Sequence, residues 1–399
     1  MRDASLTTSE PPPAPSSEAR PAWRLNLVLF LATVASVFVT GVVSFPSKPD
    51  DPMITRAALL HGAQFVGTVM TILVAHELGH YVTARIHKVD ASLPFFIPLP
   101  LLSPFGTMGA VIRMRGVIPT RRALLDIGAS GPLAGMAFAI PLYLYGVAHS
   151  EVVPANGEGM VELGESVMVR FLDHFFAPPV PEGMTVVYSP IAFGAWGGMF
   201  VTMINLLPVG QLDGGHVAYA LFGPKQDRYA ITVHRAMLVF FGVIVAGHVM
   251  RDVQAGRALT VPLLSQHVAN ALFWLVWFQV LGILGTLARP RRPEPEPQGD
   301  EGGGALGLLT VRTRIFATLG LVTLASIGRQ QPSLLLLGGF VAGLGILIAM
   351  EVKGGVLRPH DLLVHPPTGP EGLDLPRKIV AIVSLVLFAL LFMPEPFSL

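Results

Sequence analysis

Two histidines and a glutamate stand at a spacing that suits a catalytic metal ion. The pentapeptide His76-Glu77-Leu78-Gly79-His80 ends a long apolar stretch that we interpret as a helix. Residues four apart lie on one helix face, so both imidazoles can bind the same ion. Glu77 lies beside that face, where its carboxylate can take a proton from a metal-bound water whose pKa the metal lowers to about 7. The pattern therefore predicts a zinc centre that activates water.

A catalytic zinc ion of this kind needs a third protein ligand and one open coordination position. Asp213 is the candidate, because Pro208 and the neighbouring glycines stop a helix there and leave Asp213 on irregular backbone. Each segment also has an interpretation without a metal. Asp213 could simply cap the next helix, and the pentapeptide could be a solvated helix end. Ionisable residues inside an apolar span are costly and usually functional, which favours the metal site.

The composition places these residues in a membrane protein. Of the 399 residues, 52% are hydrophobic and 13% are charged, and the mean hydropathy is +0.60. Soluble domains carry roughly 25% charged residues. The net charge of +1 and the lack of a basic cluster with interleaved aromatic residues give no sign of nucleic-acid binding. The absence of cysteine excludes disulfides, thiol catalysis and thiolate metal ligands.

The fold class that we predict is an all-α polytopic membrane protein with about eight transmembrane helices. Residues 1–22 are rich in proline and predict a disordered tail, and residues 23–288 predict a membrane-embedded core. Residues 289–306 predict a flexible linker, and residues 307–399 predict C-terminal transmembrane helices. The apolar spans that support this count are 25–45, 58–83, 127–148, 186–208, 230–250, 268–288 and 333–350, with two weaker spans at 315–327 and 379–393.

One apolar stretch between the second and third helices is not helical in our interpretation. Residues 93–112 contain four prolines, which interrupt a helix, and residues 107–115 look extended. We predict a re-entrant β-hairpin loop here, because irregular backbone survives at membrane depth only where it is buried in protein or lines a wet cavity. Its strand would offer an edge to which an unwound substrate adds by β-augmentation.

The charges of the loops predict the orientation in the membrane. Basic residues dominate the loop between the second and third helices, whereas acidic residues dominate the next loop, which we interpret as a solvated outer loop. By the positive-inside rule, the first of these loops and the N-terminus are cytoplasmic. Because an even number of crossings separates His80 from Asp213, the candidate ligands all fall on the cytoplasmic side.

Three ordered motifs give the chain a family resemblance. HELGH (76–80), DIGASGPLAG (126–135) and NLLPVGQLDGG (205–215) together resemble the site-2 protease family of intramembrane zinc metallopeptidases. The runs FGTMGAVIRMR (105–115) and AWGG (195–198) resemble its bacterial and chloroplast EGY-type branch. The resemblance covers residues 58–223 well and the later helices poorly, and no appended PDZ-like or CBS-like domain accompanies it.

The resemblance implies a role for each matching residue. His76, His80 and Asp213 would bind one Zn²⁺ per chain, and Glu77 would activate the water. Asn205 would position the substrate or stabilise the oxyanion. The implied activity is endoproteolysis within or next to the transmembrane segments of membrane proteins. The implied substrates are single-pass anchored regulators or remnant signal peptides in the lipid bilayer.

Two other functions remain open from the sequence. One is a membrane-anchored His-Glu-x-x-His metalloprotease of another family, in which a downstream glutamate would replace Asp213 as the third ligand. The other is a catalytically inactive membrane adaptor or a transporter that uses intramembrane histidines. The absence of an arginine- and serine-rich transit segment favours a bacterial plasma membrane.

Other conspicuous residues have structural interpretations. His216 is expected to lie near the metal without binding it. Gly131 and Gly135 are expected to allow close helix approach near the metal. The histidines of the remaining apolar spans are expected to form hydrogen bonds in helix packing rather than to bind metal: His61, His234 and His248.

Overall fold

Nine α-helices make up most of the chain that the computed structural model describes, which is residues 23–45, 55–115, 118–155, 162–287, 368–369 and 371–398. They are α1 (Trp23–Ser44), α2 (Arg56–Ile86), α3 (Arg121–Ala148), α4 (Val167–Phe176), α5 (Pro190–Asn205), α6 (Asp213–Phe222), α7 (Gln226–Gln254), α8 (Val261–Leu287) and α9 (Leu375–Leu391). A short 3-10 helix, Gly223–Lys225, joins α6 to α7.

Five of the described helices are long and apolar enough to cross a membrane. They are α1, α2, α3, Thr232–Gln254 of α7 and Val261–Phe278 of α8. Helices α5 and α9 have 16 and 17 residues, fewer than the ~20 that span a bilayer comfortably. The protein is therefore an integral membrane protein. The predicted total of eight crossings stays a prediction, because the spans at 315–327 and 333–350 lie outside the described residues, as do the predicted tail and linker.

Helix starts follow signals that are visible in the sequence. The side-chain oxygens of Thr55, Thr120, Ser166 and Ser189 each accept a hydrogen bond from the backbone N–H three residues on, which satisfies a donor that the helix leaves unpaired. The predicted fourth span therefore begins later than its hydropathy suggests, at the proline that follows Ser189. The residues before it form a strand instead.

Helix α3 lies at the centre of the bundle. It packs against α2, α5, α6 and α9, and its residues Leu124, Leu125 and Ile127 are fully buried. Because α2 and α6 both pack on α3, this helix brings the two predicted ligand segments, which are far apart in sequence, to the same place.

The strands are short and form antiparallel pairs. They are β1 (Asp90–Ala91) with β4 (Met114–Arg115), β2 (Phe95–Pro98) with β3 (Thr107–Val111), β5 (Glu151–Pro154) with β7 (Met184–Val187), and β6 (Glu162–Leu163) with β8 (Phe397–Ser398). The β2–β3 pair matches Phe95 with Val111 and Phe96 with Ala110, and its register shifts beyond Phe96. Gly109, with φ of 99°, lies opposite this shift, as in a β-bulge.

The β2–β3 hairpin lies along helix α1. The side-chain amide of Asn26 donates to the backbone oxygens of Leu93, at 3.0 Å, and Pro94, at 2.9 Å. Ser36, ten residues further along α1, donates to the backbone oxygen of Gly106 at 2.5 Å. The loop therefore follows roughly 15 Å of α1, at 1.5 Å per residue.

The loop between α3 and α5 is more structured than the acidic composition suggests. The sequence predicts only a solvated outer loop there, but the chain forms the β5–β7 pair and helix α4. Val169 and Leu172 of α4 are buried. The acidic residues misled the prediction because they lie among apolar residues that repeat at helical spacing.

The C-terminal residues pack into the same core as the front of the chain. Arg377, at the start of α9, pairs with Asp126 of α3 at 2.7 Å. After α9, the backbone oxygen of Pro394 accepts a hydrogen bond from the indole of Trp274 at 2.6 Å. The predicted division between a core and C-terminal helices stays a prediction, although the described part of the C-terminal unit is closely packed on the core.

Candidate metal centre

Three side chains from two distant segments converge on one point. Nε2 of His76 and Nε2 of His80 lie 3.1 Å apart. Each of these nitrogens lies 3.2 Å from Oδ2 of Asp213. Among the described residues, these three form the one cluster of histidine and carboxylate groups whose geometry could hold a metal ion.

The spacing of these atoms fits a zinc ion. A tetrahedral ion with nitrogen and oxygen ligands at about 2.0–2.1 Å keeps neighbouring ligand atoms roughly 3.3 Å apart. The observed triangle of 3.1, 3.2 and 3.2 Å is close to that value on every side. Both histidines are buried and Asp213 is half-buried, and two imidazole nitrogens that face one carboxylate oxygen away from bulk water are best satisfied by a shared cation. With three protein ligands, such an ion would keep one position open.

A backbone carbonyl fixes the tautomer of His80. Its Nδ1 lies 2.7 Å from the backbone oxygen of Ile127. A carbonyl only accepts, so Nδ1 carries the proton and Nε2 keeps a lone pair that could bind a metal ion. The Ile127 contact was not predicted, because a backbone acceptor leaves no signature in residue type.

The run DIGASGPLAG provides room for the two converging histidines. A Cβ on Gly131 of α3 would collide with Nε2 and other ring atoms of His80. A Cβ on Gly135, one turn on, would lie at ordinary contact distance from Cβ of His76. The expected close approach of α2 and α3 is therefore confirmed, and of these two glycines Gly131 is the one that leaves no room for a side chain.

Helix α6 begins at Asp213 and is held from both ends. A Cβ on Gly214 would collide with the backbone oxygen of Leu206, so the glycine lets the preceding loop fold back tightly on the helix. At the other end, the guanidinium of Arg121 donates to the backbone oxygens of Ala220, at 2.9 Å, and Leu221, at 3.0 Å. These contacts satisfy unpaired helix carbonyls and hold Asp213 facing the histidines.

Glu77 and Asn205 flank the three ligands. Glu77 is only 5% exposed and does not belong to the ligand cluster. Asn205, the last residue of α5, has its amide nitrogen 3.4 Å from Nε2 of His76. Both predicted catalytic side chains therefore lie beside the point on which the ligands converge.

A cavity of about 100 Å³ opens beside these residues. Helices α2 and α5 form two walls, and β3 with the preceding loop forms the third. The lining residues are Val69, Ile72, Leu73, His76 and Glu77 of α2, Phe105, Thr107, Met108, Gly109 and Ala110 of the hairpin, and Gly194, Gly197, Gly198, Val201, Thr202 and Asn205 of α5. The cavity is mostly apolar and has its polar groups at the metal end, as ligand sites do.

Residues 64–245 match the model of peptidase family M50. These residues are an M50 peptidase domain. The M50 domain contains the three converging ligands together with Glu77 and Asn205. The family resemblance predicted from the three motifs is therefore confirmed.

Curated relatives of the M50 domain are named as zinc metalloproteases. Over 216 residues the chain is 29% identical to the probable zinc metalloprotease EGY2, chloroplastic, of Arabidopsis thaliana, covering 53% of this chain and 38% of the relative. Over 243 residues it is 30% identical to the probable zinc metalloprotease EGY1, chloroplastic, of Oryza sativa subsp. japonica, covering 55% of this chain and 41% of the relative. The match thus spans about two fifths of each relative. No solved structure matches the chain.

The M50 match weighs against the alternatives left open by the sequence. A metalloprotease of another family would recruit a downstream glutamate, whereas Asp213 is the carboxylate beside both histidines. An inactive adaptor or a transporter is not favoured by the relatives' names.

The remaining histidines of the apolar spans have packing partners. Nδ1 of His61 lies 3.0 Å from the backbone oxygen of Phe45. Nε2 of His234 lies 2.8 Å from the backbone oxygen of Phe278, and Nε2 of His248 lies 2.8 Å from Glu395. Their expected role in helix packing is confirmed. His216 is outside the ligand cluster, as expected.

Proposed function

We propose that this protein is a zinc-dependent intramembrane endopeptidase, which cuts membrane proteins within or next to their transmembrane segments. The observation that carries the proposal is the convergence of His76, His80 and Asp213 on one point beside the buried carboxyl of Glu77. The M50 domain and the names of the relatives support it.

The chemistry follows from the groups around that point. Zinc, when bound, lowers the pKa of a coordinated water and polarises the peptide carbonyl. Glu77 accepts the proton of the attacking water and passes it to the leaving amine. Asn205 donates a hydrogen bond to the carbonyl oxygen as that oxygen gains charge. The Ile127 carbonyl keeps the His80 ring in the orientation that ligation requires.

The length of α2 supports a site inside the membrane. Its 31 residues extend about 46 Å, at 1.5 Å per residue, against a hydrocarbon thickness of about 30 Å. His76 and His80 lie five and nine residues beyond residue 71, the midpoint of the helix. For a centred helix these steps place them roughly 8 and 14 Å from the bilayer midplane. Both values fall within the hydrocarbon region.

The hairpin is the proposed path of the substrate. Its hydrogen bonds with Asn26 and Ser36 keep it alongside α1, a helix that can cross the membrane, which supports the re-entrant placement. Strand β3 pairs with β2 on one side and lines the cavity beside Glu77. An unwound substrate that pairs with the other edge of β3 would bring its backbone to the metal.

Proline substitutions at two adjacent positions of β3 test this path. Successive N–H groups of a strand point to opposite edges, so one of Ala110→Pro and Val111→Pro removes a donor from the β2 pairing and the other removes a donor from the opposite edge. We expect both variants to lose cleavage. Only the variant that loses a donor to β2 should also lose thermal stability. Cleavage rates and unfolding temperatures of both variants check this. Full cleavage by the variant that keeps the wild-type unfolding temperature would rule out β-augmentation.

The activity itself is tested by mapping cut sites. The full chain is reconstituted in vesicles with a pool of single-pass membrane proteins, and the cut positions are read by mass spectrometry with and without a zinc chelator. We expect chelator-sensitive cuts inside or directly beside the apolar segments. Cuts confined to soluble loops would contradict intramembrane proteolysis.

The proposal also covers the membrane in which the protein lies and the proteins that it cuts. The loop charges favour a cytoplasmic N-terminus and an active site towards the cytoplasmic side of a bacterial plasma membrane, whereas the relatives named above are chloroplastic. The proposed substrates are single-pass anchored regulators and remnant signal peptides.

A further inference from the structure

Helix α4 has three distinct faces. Val167, Phe171 and Phe175 are each about 60% exposed, and they follow one another at four-residue spacing along one side of the helix. A second side carries the buried residues Val169 and Leu172. The described part of the protein therefore leaves these three apolar side chains largely uncovered. The ring centroids of Phe171 and Phe175 lie 5.1 Å apart.

The third face of α4 is polar. Arg170 and His174 are exposed there, and Arg170 pairs with the exposed Glu165 at 2.8 Å. Around the helix axis, a protein-facing sector, an exposed apolar sector and an exposed polar sector follow one another. Exposing the apolar sector to water would not stabilise the helix, and burying the polar sector in protein would be costly. The pattern therefore fits a helix that contacts protein, an apolar medium and water on different sides.

The depth of α4 is fixed by a hydrogen-bonded group that reaches into the bundle. The phenol of Tyr143, a fully buried residue of α3, donates to Oδ1 of Asp173 at 2.7 Å. The phenol of Tyr188 donates to the other oxygen of Asp173 at 3.2 Å. Burial raises the pKa of the Asp173 carboxyl, while the two phenol donors oppose that rise.

Tyr143 lies near the end of a membrane-spanning helix. It precedes the last residue of α3, Ala148, by five residues, which is roughly 8 Å. In a centred α3 of 28 residues, Tyr143 lies roughly 13 Å from the bilayer midplane, close to the boundary of the ~30 Å hydrocarbon layer. Asp173 bonds to this residue, so α4 lies at the level of that boundary and not above it.

We propose that α4 is an in-plane interfacial helix, whose Val167, Phe171 and Phe175 insert into the lipid bilayer at the membrane surface opposite the metal centre. The polar sector then faces water and the buried sector faces the bundle. Exposed aromatic side chains on such a helix settle at the boundary between lipid headgroups and acyl chains. Helix α3, against which α4 packs, itself exposes Phe138 and Tyr145. The insertion would hold α3, through Tyr143, at a fixed depth.

Single spin labels test this placement directly, because the chain contains no cysteine. The variants Phe171→Cys and Phe175→Cys are labelled in the full chain in lipid vesicles, and collision rates with oxygen and with a water-soluble nickel chelate are measured. Arg170→Cys on the same helix is the water control. Leu31→Cys, an exposed position of α1, is the lipid control.

We expect the ratio of oxygen to nickel collision rates at Phe171 and Phe175 to be several-fold higher than at Arg170 and lower than at Leu31, which lies near the middle of the membrane-spanning helix α1. A ratio at both phenylalanine positions equal to that at Arg170 would place this face in water and overturn the proposal. Labels shielded from both reagents would show that protein, such as a second copy of the chain, covers the face, and would equally overturn it. If one variant fails to fold, the other position and Val167→Cys supply the same comparison.

Discussion

Replacing Glu77 with glutamine is expected to slow cleavage by about 10²–10⁴-fold, the range that a positioned general base contributes, while zinc binding stays intact. Glutamine keeps the size and the hydrogen-bonding reach of glutamate but cannot take up a proton at neutral pH. Glu77 is buried at the cavity and lies outside the ligand cluster. The loss should therefore fall on the chemical step and not on the metal.

Two measurements on the same preparation separate these effects. The rate of cleavage of a single-pass protein that the wild type cuts gives the catalytic loss, and elemental analysis gives the zinc content. Glu165→Gln, which neutralises an exposed carboxyl far along the chain, is the matched control and should change neither value. Wild-type cleavage by Glu77→Gln would show that another group activates the water.

Two of the three proposed metal ligands can be predicted from a local signal. His76 and His80 need only helical periodicity to share a face, and the chain forms the helix α2 that this spacing indicates. Asp213 cannot be assigned from a local signal, because nothing in the neighbouring sequence distinguishes a metal ligand from a helix cap. Its assignment depended on the count of membrane crossings and on the family resemblance, and the structure brings its carboxylate to both histidines.

The parts that were not predicted depend on tertiary contacts. The carbonyl of Ile127 becomes a partner of His80 only because α2 and α3 pack closely. Arg121 is one of the basic residues from which the orientation is predicted, and its contact with the far end of α6 has no signal in the sequence. Helix α4 was not predicted, because its apolar residues lie among the acidic residues of the loop. One of these acidic residues, Asp173, accepts hydrogen bonds from the phenols of Tyr143 and Tyr188.

Replacing Asp213 with alanine is expected to abolish zinc binding. Two imidazoles remain in the variant, but a stable catalytic site of this kind uses three protein ligands. Removal of the carboxylate also leaves Nε2 of His76 and Nε2 of His80 facing each other at 3.1 Å without the anion that both contact. His216→Ala, three residues further along the same short helix, is the matched control, since His216 lies outside the ligand cluster.

The zinc content per chain of the purified protein tests the proposed metal centre, and the measurement needs no known substrate. We expect about one zinc per chain in the wild type and in His216→Ala, and almost none in Asp213→Ala, because a site of this kind uses three protein ligands. Zinc retained by Asp213→Ala, or absent from the wild type, would contradict the proposed metal centre.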